Sequence, residues 1–389
     1  MAVARRARGS IRPQGQGTWR IEVRRGRDPE TGRLLRTSVT VEGSRRDAER
    51  ELTRILREID TASYVEPARE TFGEFLERWL RDYAAHNVRP KTLELYSLLV
   101  RRHVAPSLGG LPLGKVGAAQ IQALYARKLE EGLSAQTVRH MHTVLRESLG
   151  HAVKWGLLGR NPAEAATPPR VRRRELTVWT LDEARRFLAA AEGSRYHAAF
   201  LLAVFCGLRR GEVLGLKWGD IDWDAGLLVV QRQLALVGGR PTIQELKTAK
   251  SRRVLPLDDG LLAALRSHKL RQNEERLRAG ARWRGKDWVF CTERGTPVDP
   301  HNLVERHFKP LVAKAGVPPI RFHDLRHTHA TLALGSGAGI KEVSATLGHA
   351  TTRMTLDTYA HLLPDAQREA LARLREAFMR GQSGAKSGA

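Results

Sequence analysis

The hydrophobic period of this chain changes as the chain is read, and the change limits what it can fold into. Around Trp19, Ile21 and Val23 apolar residues alternate with polar ones, and Leu35, Thr37, Val39 and Val41 alternate again. A period of two predicts two half-buried strands, and Asp28-Pro29-Glu30-Thr31-Gly32 between them is a turn, so the pair is a hairpin. From Ser44 the period lengthens. Ala48, Leu52, Ile55, Leu56 and Ile59 share one helical face, and Ser44 with Asp47 three residues on forms a capping-box start. Residues 1–64 therefore read as a small sheet-plus-helix domain behind a short basic arm, with arginines on its outer positions.

The helical period then takes over. Residues 65–69 read as a linker. Thr71 and Glu74 form a second capping box, followed at helical spacing by Phe72, Phe75, Leu76, Trp79, Leu80 and Tyr83. A second helix opens at Lys91-Thr92 and runs through Val104, with a turn-rich break at Pro106–Gly114. Further helices are expected at Ala118–Glu131 and Ser134–Trp155. Residues 65–167 thus form an all-α domain with short connections. Residues 168–174 (Pro-Pro-Arg-Val-Arg-Arg-Arg) are a basic linker, whose charge suits either solvent or a nearby phosphate. The third domain, 175–380, starts with a capping box at Thr180 and Glu183. Helices run to about Cys206, strand-like runs follow at Leu227–Leu236, near Ile243 and at Arg252–Leu257, and helices then dominate. That order is mostly-α α+β with a small antiparallel sheet. Residues 381–389 are small and polar, a tail expected to be disordered.

Three domains suit a chain of 389 residues. The charge narrows the partner. Lys and Arg number 66 against 42 Asp and Glu, a formal net charge of +24. A GC-rich genome explains arginine over lysine but not arginine over acid, so the excess points to nucleic acid. No apolar run reaches the ~18 residues a membrane helix needs, and no secretory signal is visible. Cys206 and Cys291 are too few for a disulfide framework or a cysteine zinc module. A cytoplasmic, nucleoid-associated chain that does not touch membrane is the expectation.

The densest chemistry lies at His323-Asp324-Leu325-Arg326-His327-Thr328-His329. His323 and His327 are four apart and share a helical face, as zinc-binding histidines do, but the Glu of that motif is missing and Arg326 would oppose a cation. No metal is expected. His323 and Arg326, three apart, also share a face, and that pair suits phosphate: a guanidinium fork beside an imidazole that can move a proton. Elsewhere stand Gly207-Leu208-Arg209-Arg210-Gly211-Glu212, then Glu245-Leu246-Lys247-Thr248, Leu347-Gly348-His349, and Tyr359. Gly335-Ser336-Gly337-Ala338-Gly339 lacks the Lys-Ser/Thr of a nucleotide loop and reads as a turn.

Taken in order, the Gly-Leu-Arg-x-x-Glu box, the Lys-Thr before a strand, the His-x-x-Arg box, the Leu-Gly-His and the late Tyr resemble the tyrosine recombinases of the phage-integrase type over most of the chain. The resemblance implies that Arg209 and Arg326 are catalytic arginines, with Arg210 a neighbouring guanidinium and Glu212 the supporting acid. Lys247 matches the general-acid lysine, with Lys250 a rival; His323 and His349 match the two histidine positions; Tyr359 matches the nucleophile. His327 and His329 are expected to pack or face phosphate, and Cys206 to be a small buried residue. The all-α domain resembles the core-site-binding domain, and residues 1–64 resemble the arm-site-binding domain of some integrases.

The implied chemistry needs no metal, ATP or other cofactor. Two arginine forks neutralise the non-bridging oxygens while the tyrosine forms a 3′-phosphotyrosyl link, with His323 as its proton partner and Lys247 protonating the leaving 5′ oxygen. The implied partners are double-stranded attachment-site DNA, three further copies of the chain in a tetramer, and excision or host DNA-bending factors. Leu371, Leu374 and Phe378 would dock on a neighbouring copy or pack within the chain. Two rivals remain: a type IB topoisomerase, which shares the residues but relaxes DNA alone, and a DNA-binding regulator without catalysis.

Overall fold

The computed structural model describes residues 9–27, 32–60, 70–171, 176–246, 251–349 and 351–359, with Leu371 and Arg375. The Asp28–Thr31 part of the expected turn, Lys247 and Lys250, Leu374 and Phe378, and the 381–389 tail lie outside these residues, as do residues 172–174 of the expected basic linker. The chain divides into two compact units, Met1–Arg172 and Arg173–Ala389.

The first unit holds two separate hydrophobic cores. Strands β1 (Gly9–Gly15), β2 (Thr18–Arg27) and β3 (Leu34–Glu42) form an antiparallel sheet in the order β1-β2-β3. Helix α1 (Arg45–Asp60) covers one face of it, burying Ala48 and Ile55 against Ile21 and Val23. The expected cap is in place: the backbone N–H of Ser44 donates to Asp47 Oδ2 at 2.9 Å, and Asp47 N–H donates to Ser44 Oγ at 3.3 Å. The strand before the hairpin, β1, carries no clean alternation and was not expected; its pairing with β2 makes it a strand. Alternation puts Arg12, Arg20, Arg24 and Arg36 on the exposed side. In register, Arg12 stands opposite Arg20 and Arg24 opposite Arg36.

The second core is helical. Helix α2 (Phe72–Trp79) is closed by the full Thr71–Glu74 capping box, passes through a π turn at Leu80–Ala84 and ends in α3 (Ala85–Asn87). Helix α4 (Pro90–Leu99) likewise continues through a π turn at Val100–Val104 into α5 (Ala105–Leu108). Here the helix outlasts the break expected at Pro106. The wider turn before Pro106 absorbs the hydrogen bond that proline cannot donate, and Gly109 N–H closes the end on Ala105 O at 2.9 Å. Helices α6 (Ala118–Glu130) and α7 (Ala135–Lys154) complete the set. Trp79 is fully buried, stacks on Tyr83 and Tyr96, and donates Nε1–H to His151 Nδ1 at 3.1 Å, tying α2 to α7.

The second unit has one large core. Helix α8 (Leu181–Ala190), started by its Thr180–Glu183 box, leads to α9 (His197–Phe205), which is apolar nearly all round and buried over most of its length, with Phe205 exposed. Phe187, Phe200, Phe308 and Phe322 pack edge to face around Trp179. After α10 (Arg210–Leu214) come the short strands β4 (Ile221–Asp222), β5 (Leu227–Val230), β6 (Arg232–Val237), β7 (Arg240–Glu245) and β8 (Arg253–Pro256). They make two antiparallel ladders rather than one, β4-β5-β8 and β6-β7. Gly238 and Gly239, both at positive φ, form the two-residue turn of the β6–β7 hairpin. Helices α11 (Asp259–Ala279), α12 (Pro300–Asn302), α13 (Lys309–Lys314), α14 (Asp324–Gly335), α15 (Ile340–Leu347) and α16 (Thr352–Tyr359) follow. No described helix is long and apolar enough to cross a membrane.

Candidate active site

The site begins where α9 ends. Gly207 has φ 60°, and a Cβ there would sit 2.7 Å from His329 Cδ2 and 2.8 Å from Leu347 Cδ2, so the position needs glycine for both conformation and space. The chain then turns through Leu208 into Arg209, the N-cap of α10. Three residues on, Glu212 is fully buried. Its carboxylate accepts from the Arg209 backbone N–H at 2.9 Å and from Arg209 Nη1 at 2.6 Å. Arg253, on β8, donates Nη2–H to the same carboxylate at 2.9 Å. Burial pushes the Glu212 carboxyl up, but the two guanidiniums overcome this and hold it below its ordinary range. Arg210 points elsewhere, donating to Pro300 O at 3.3 Å.

Helix α14 lies against α9 and supplies the next groups. Arg326 is 3% exposed. It donates Nη1–H to Gly207 O at 2.8 Å and Nη2–H to Leu347 O. One guanidinium thus binds the carbonyls at the ends of α9 and α15 together, which fixes its direction without a carboxylate. Burial, reinforced by Arg209, lowers its pKa to about 9, so it stays charged at neutral pH. His329 does similar work, with Nδ1 2.9 Å from Val204 O, and is a packing residue as expected.

The Leu-Gly-His segment has a local cause as well. Leu347 is buried and ends α15, Gly348 takes the left-handed C-cap conformation at φ 63°, and His349 follows with Nδ1 2.8 Å from Thr355 Oγ1. Tyr359, the last residue of α16, is 2% exposed among Ala330, Leu334, Val343 and Leu347. Its hydroxyl lies 2.6 Å from His327 Nδ1. His327 thus occupies the place beside the tyrosine that the resemblance assigns to His323. His323 caps α14 and meets His327 ring to ring at 5.2 Å. The signal was present in the four-residue spacing of the two histidines, but only the fold shows which one faces Tyr359.

The electrostatics of the group are consistent. Desolvation, then Arg326 and Arg209, push His349 down to about 4. Desolvation and the charges of His327, Arg326 and Arg209 do the same to His323, although its ring remains open to solvent. Desolvation also lowers His327. Burial raises the Tyr359 phenol to about 12, against the opposing pull of Arg326. At neutral pH a protonated phenol therefore stands against a neutral imidazole. The structure brings together Arg209, Glu212, His323, Arg326, His349 and Tyr359 within the second unit and adds His327 and Arg253. Lys247 lies outside the described residues. Among the described residues no three His, Cys, Asp or Glu side chains group as a metal site would.

A buried arginine and tyrosine stand beside a second arginine tied to a glutamate, a set of side chains whose chemistry suits a phosphodiester. Residues 177–365 match the phage integrase family, and residues 71–129 match the N-terminal SAM-like domain of phage integrases. A tyrosine recombinase XerC-like protein of Caldanaerobacter subterraneus subsp. tengcongensis is 32% identical over 94% of this chain and 97% of its own length. The chain belongs to the phage integrase family of tyrosine recombinases, enzymes of site-specific DNA recombination. The fold agrees. The Tn1549 transposon integrase in complex with transposon right end DNA superposes with a TM-score of 0.66 at 22% identity, over 78% of this chain and 99% of that one. A lambda integrase tetramer bound to a Holliday junction gives 0.55 at 22% identity, over 88% and 92%.

Proposed function

We propose that this recombinase cuts and rejoins the attachment sites of a phage or integrative mobile element through a 3′-phosphotyrosyl intermediate, with Tyr359 as nucleophile. The observation that carries the reading is the 2.6 Å contact between Tyr359 Oη and His327 Nδ1, a protonated phenol against a neutral base. In the cleavage step Tyr359 Oη bonds to phosphorus and gives its proton to imidazole. The P–O5′ bond breaks, and its electron pair stays on O5′, which leaves as a hydroxyl after protonation by Lys247, or by Lys250 if the loop register differs. Arg209 and Arg326 stabilise the charge building on the non-bridging oxygens, and His349 donates a further hydrogen bond there. His323, beside His327, is the second candidate for the phenolic proton. The covalent link conserves the bond energy, so the 5′-hydroxyl of a partner strand can reverse the step without ATP or a metal.

Two surfaces of the first unit support DNA binding. The uncovered sheet face pairs Arg12 with Arg20 and Arg24 with Arg36. Like charges directly opposite destabilise a sheet, so this arrangement serves an anionic partner better than it serves the fold. We read residues 1–64 as an arm-site-like module that presents this face to a groove. On α7, Arg139, Thr143, Arg146 and Lys154 border a cleft of about 630 Å³, a phosphate-binding stripe for the core site. Four copies would assemble on two duplexes, with bending or excision factors acting beside them.

Covalent trapping tests the reading. A nicked duplex built from DNA flanking the coding sequence is incubated in EDTA with the wild type and with Tyr359→Phe. A protease-sensitive 3′ adduct formed only with Tyr359 is expected. Equal binding without an adduct from the wild type would leave a DNA-binding regulator; relaxation of supercoils without strand exchange would mean a topoisomerase.

A further inference from the structure

We propose that Arg253 is a positioning residue for the reaction: it balances the charge of Glu212 so that Arg209 can turn its own charge to the phosphate. The proposal rests on the Tyr359 reading above. Glu212 is held from both sides, by Arg209 Nη1 at 2.6 Å and by Arg253 Nη2 at 2.9 Å, and Arg253 Nη1 reaches the same carboxylate at 3.3 Å. The two arginines differ in access. The Arg209 side chain is 32% exposed, whereas that of Arg253 is 6% exposed and the carboxylate between them is fully buried. Arg209 can therefore meet a ligand from solvent, and Arg253 cannot.

The arithmetic of charge follows. An Arg209–Glu212 pair alone is neutral, and a neutral pair has little to offer a phosphate anion. A second guanidinium on the same buried carboxylate leaves the triad at net +1, with the exposed fork as the place where that charge is felt. Arg253 is also fastened independently, donating Nη1–H to Ser251 O at 3.2 Å. Its Nε–H, however, finds no acceptor among the described residues. Burying a guanidinium is costly in itself, so the position is a poor choice for stability alone. Sheet pairing suits the position to this role, because β8 pairs with β5 in the core ladder and Arg253 therefore sits on a rigid strand.

The experiment compares adduct formation on two nicked duplexes made from DNA flanking the coding sequence. One carries an ordinary scissile phosphate; the other carries a methylphosphonate there, which lacks the negative charge. The quantity read is the ratio of the two rates, because partial unfolding lowers both by the same fraction and leaves the ratio unchanged. For Arg253→Met the ratio of phosphate to methylphosphonate rate is expected to fall by about tenfold or more, as it should for Arg209→Met. The double change Glu212→Gln with Arg253→Met removes a charge of each sign and is expected to return the ratio to within about threefold of the wild type. A ratio unchanged in Arg253→Met overturns the proposal, and so does a double variant that fails to recover. No adduct from the wild type on either duplex would sink the Tyr359 reading itself, and this proposal with it.

Discussion

Tyr359 and His327 are 32 residues apart in sequence, and their side chains meet at 2.6 Å, phenol to imidazole Nδ1. The contact joins α16 to α14 and keeps the hydroxyl inside a small apolar cluster next to Arg326. Burial lifts the phenol to about 12, so attack at neutral pH needs an acceptor for its proton. Replacing His327 with Ala is expected to slow adduct formation by about 100-fold, within the usual range for losing a general base. Binding of the same duplex should change by less than about threefold. An equal loss of binding and rate would remove His327 from the proton path.

Gly207 offers a test of how the arginine is aimed. Alanine there has an unfavourable φ, and its Cβ would intrude on His329 and Leu347. The substitution should cost about 1–3 kcal/mol in thermal unfolding. It should also cut the cleavage rate more than the stability loss explains, because Gly207 O is one of the two carbonyls that hold Arg326. A Gly207→Ala variant as stable as the wild type would contradict the geometry.

Stability should fall on mild acidification. Desolvation holds His268 and His329 down to about 4, from an ordinary value of 6.5. Above pH 6.5 neither state binds these protons and the groups contribute nothing to pH dependence. Below it the unfolded chain takes up protons that the folded one refuses, so stability is lost progressively from about pH 6.5 down to 4. Melting temperatures measured across pH 4–8 check this. His329→Gln, which can no longer be protonated, should flatten part of the slope.

The arginine-rich sheet face predicts opposite effects on folding and binding. Changing Arg24 and Arg36 to Ala removes a like-charge pair set opposite each other. Melting temperature should hold or rise, while affinity for DNA falls. If both contact phosphate, the slope of log affinity against log salt should become shallower by about 2. An unchanged slope would mean that this face does not meet DNA backbone.

The local devices were legible because each is closed by neighbours in the chain. The boxes at Ser44, Thr71 and Thr180 need only three residues of sequence, and all three form. The face of α1 and the apolar spacing of α2 follow from period alone. Pro106 misled because proline marks a break only when the helix before it keeps its usual pitch; the π turn at Val100–Val104 lets the helix continue. Strand β1 was missed because its partner, not its pattern, makes it a strand.

The candidate site divides the same way. Arg209, Glu212, His323, Arg326, His349 and Tyr359 could be proposed from motif order, since residue type and spacing are written in the chain. The partners of those residues could not. His327 and Arg253 reach the site through contacts across 32 and 41 residues, and no local feature says which histidine or arginine those contacts select. The sequence by itself determined the helices, the strand pattern, the excess of positive charge and the set of reactive side chains. The tertiary structure decided which histidine faces Tyr359, which carbonyls aim Arg326 and how many guanidiniums share Glu212, because each is a matter of distance and burial between elements that only packing brings together.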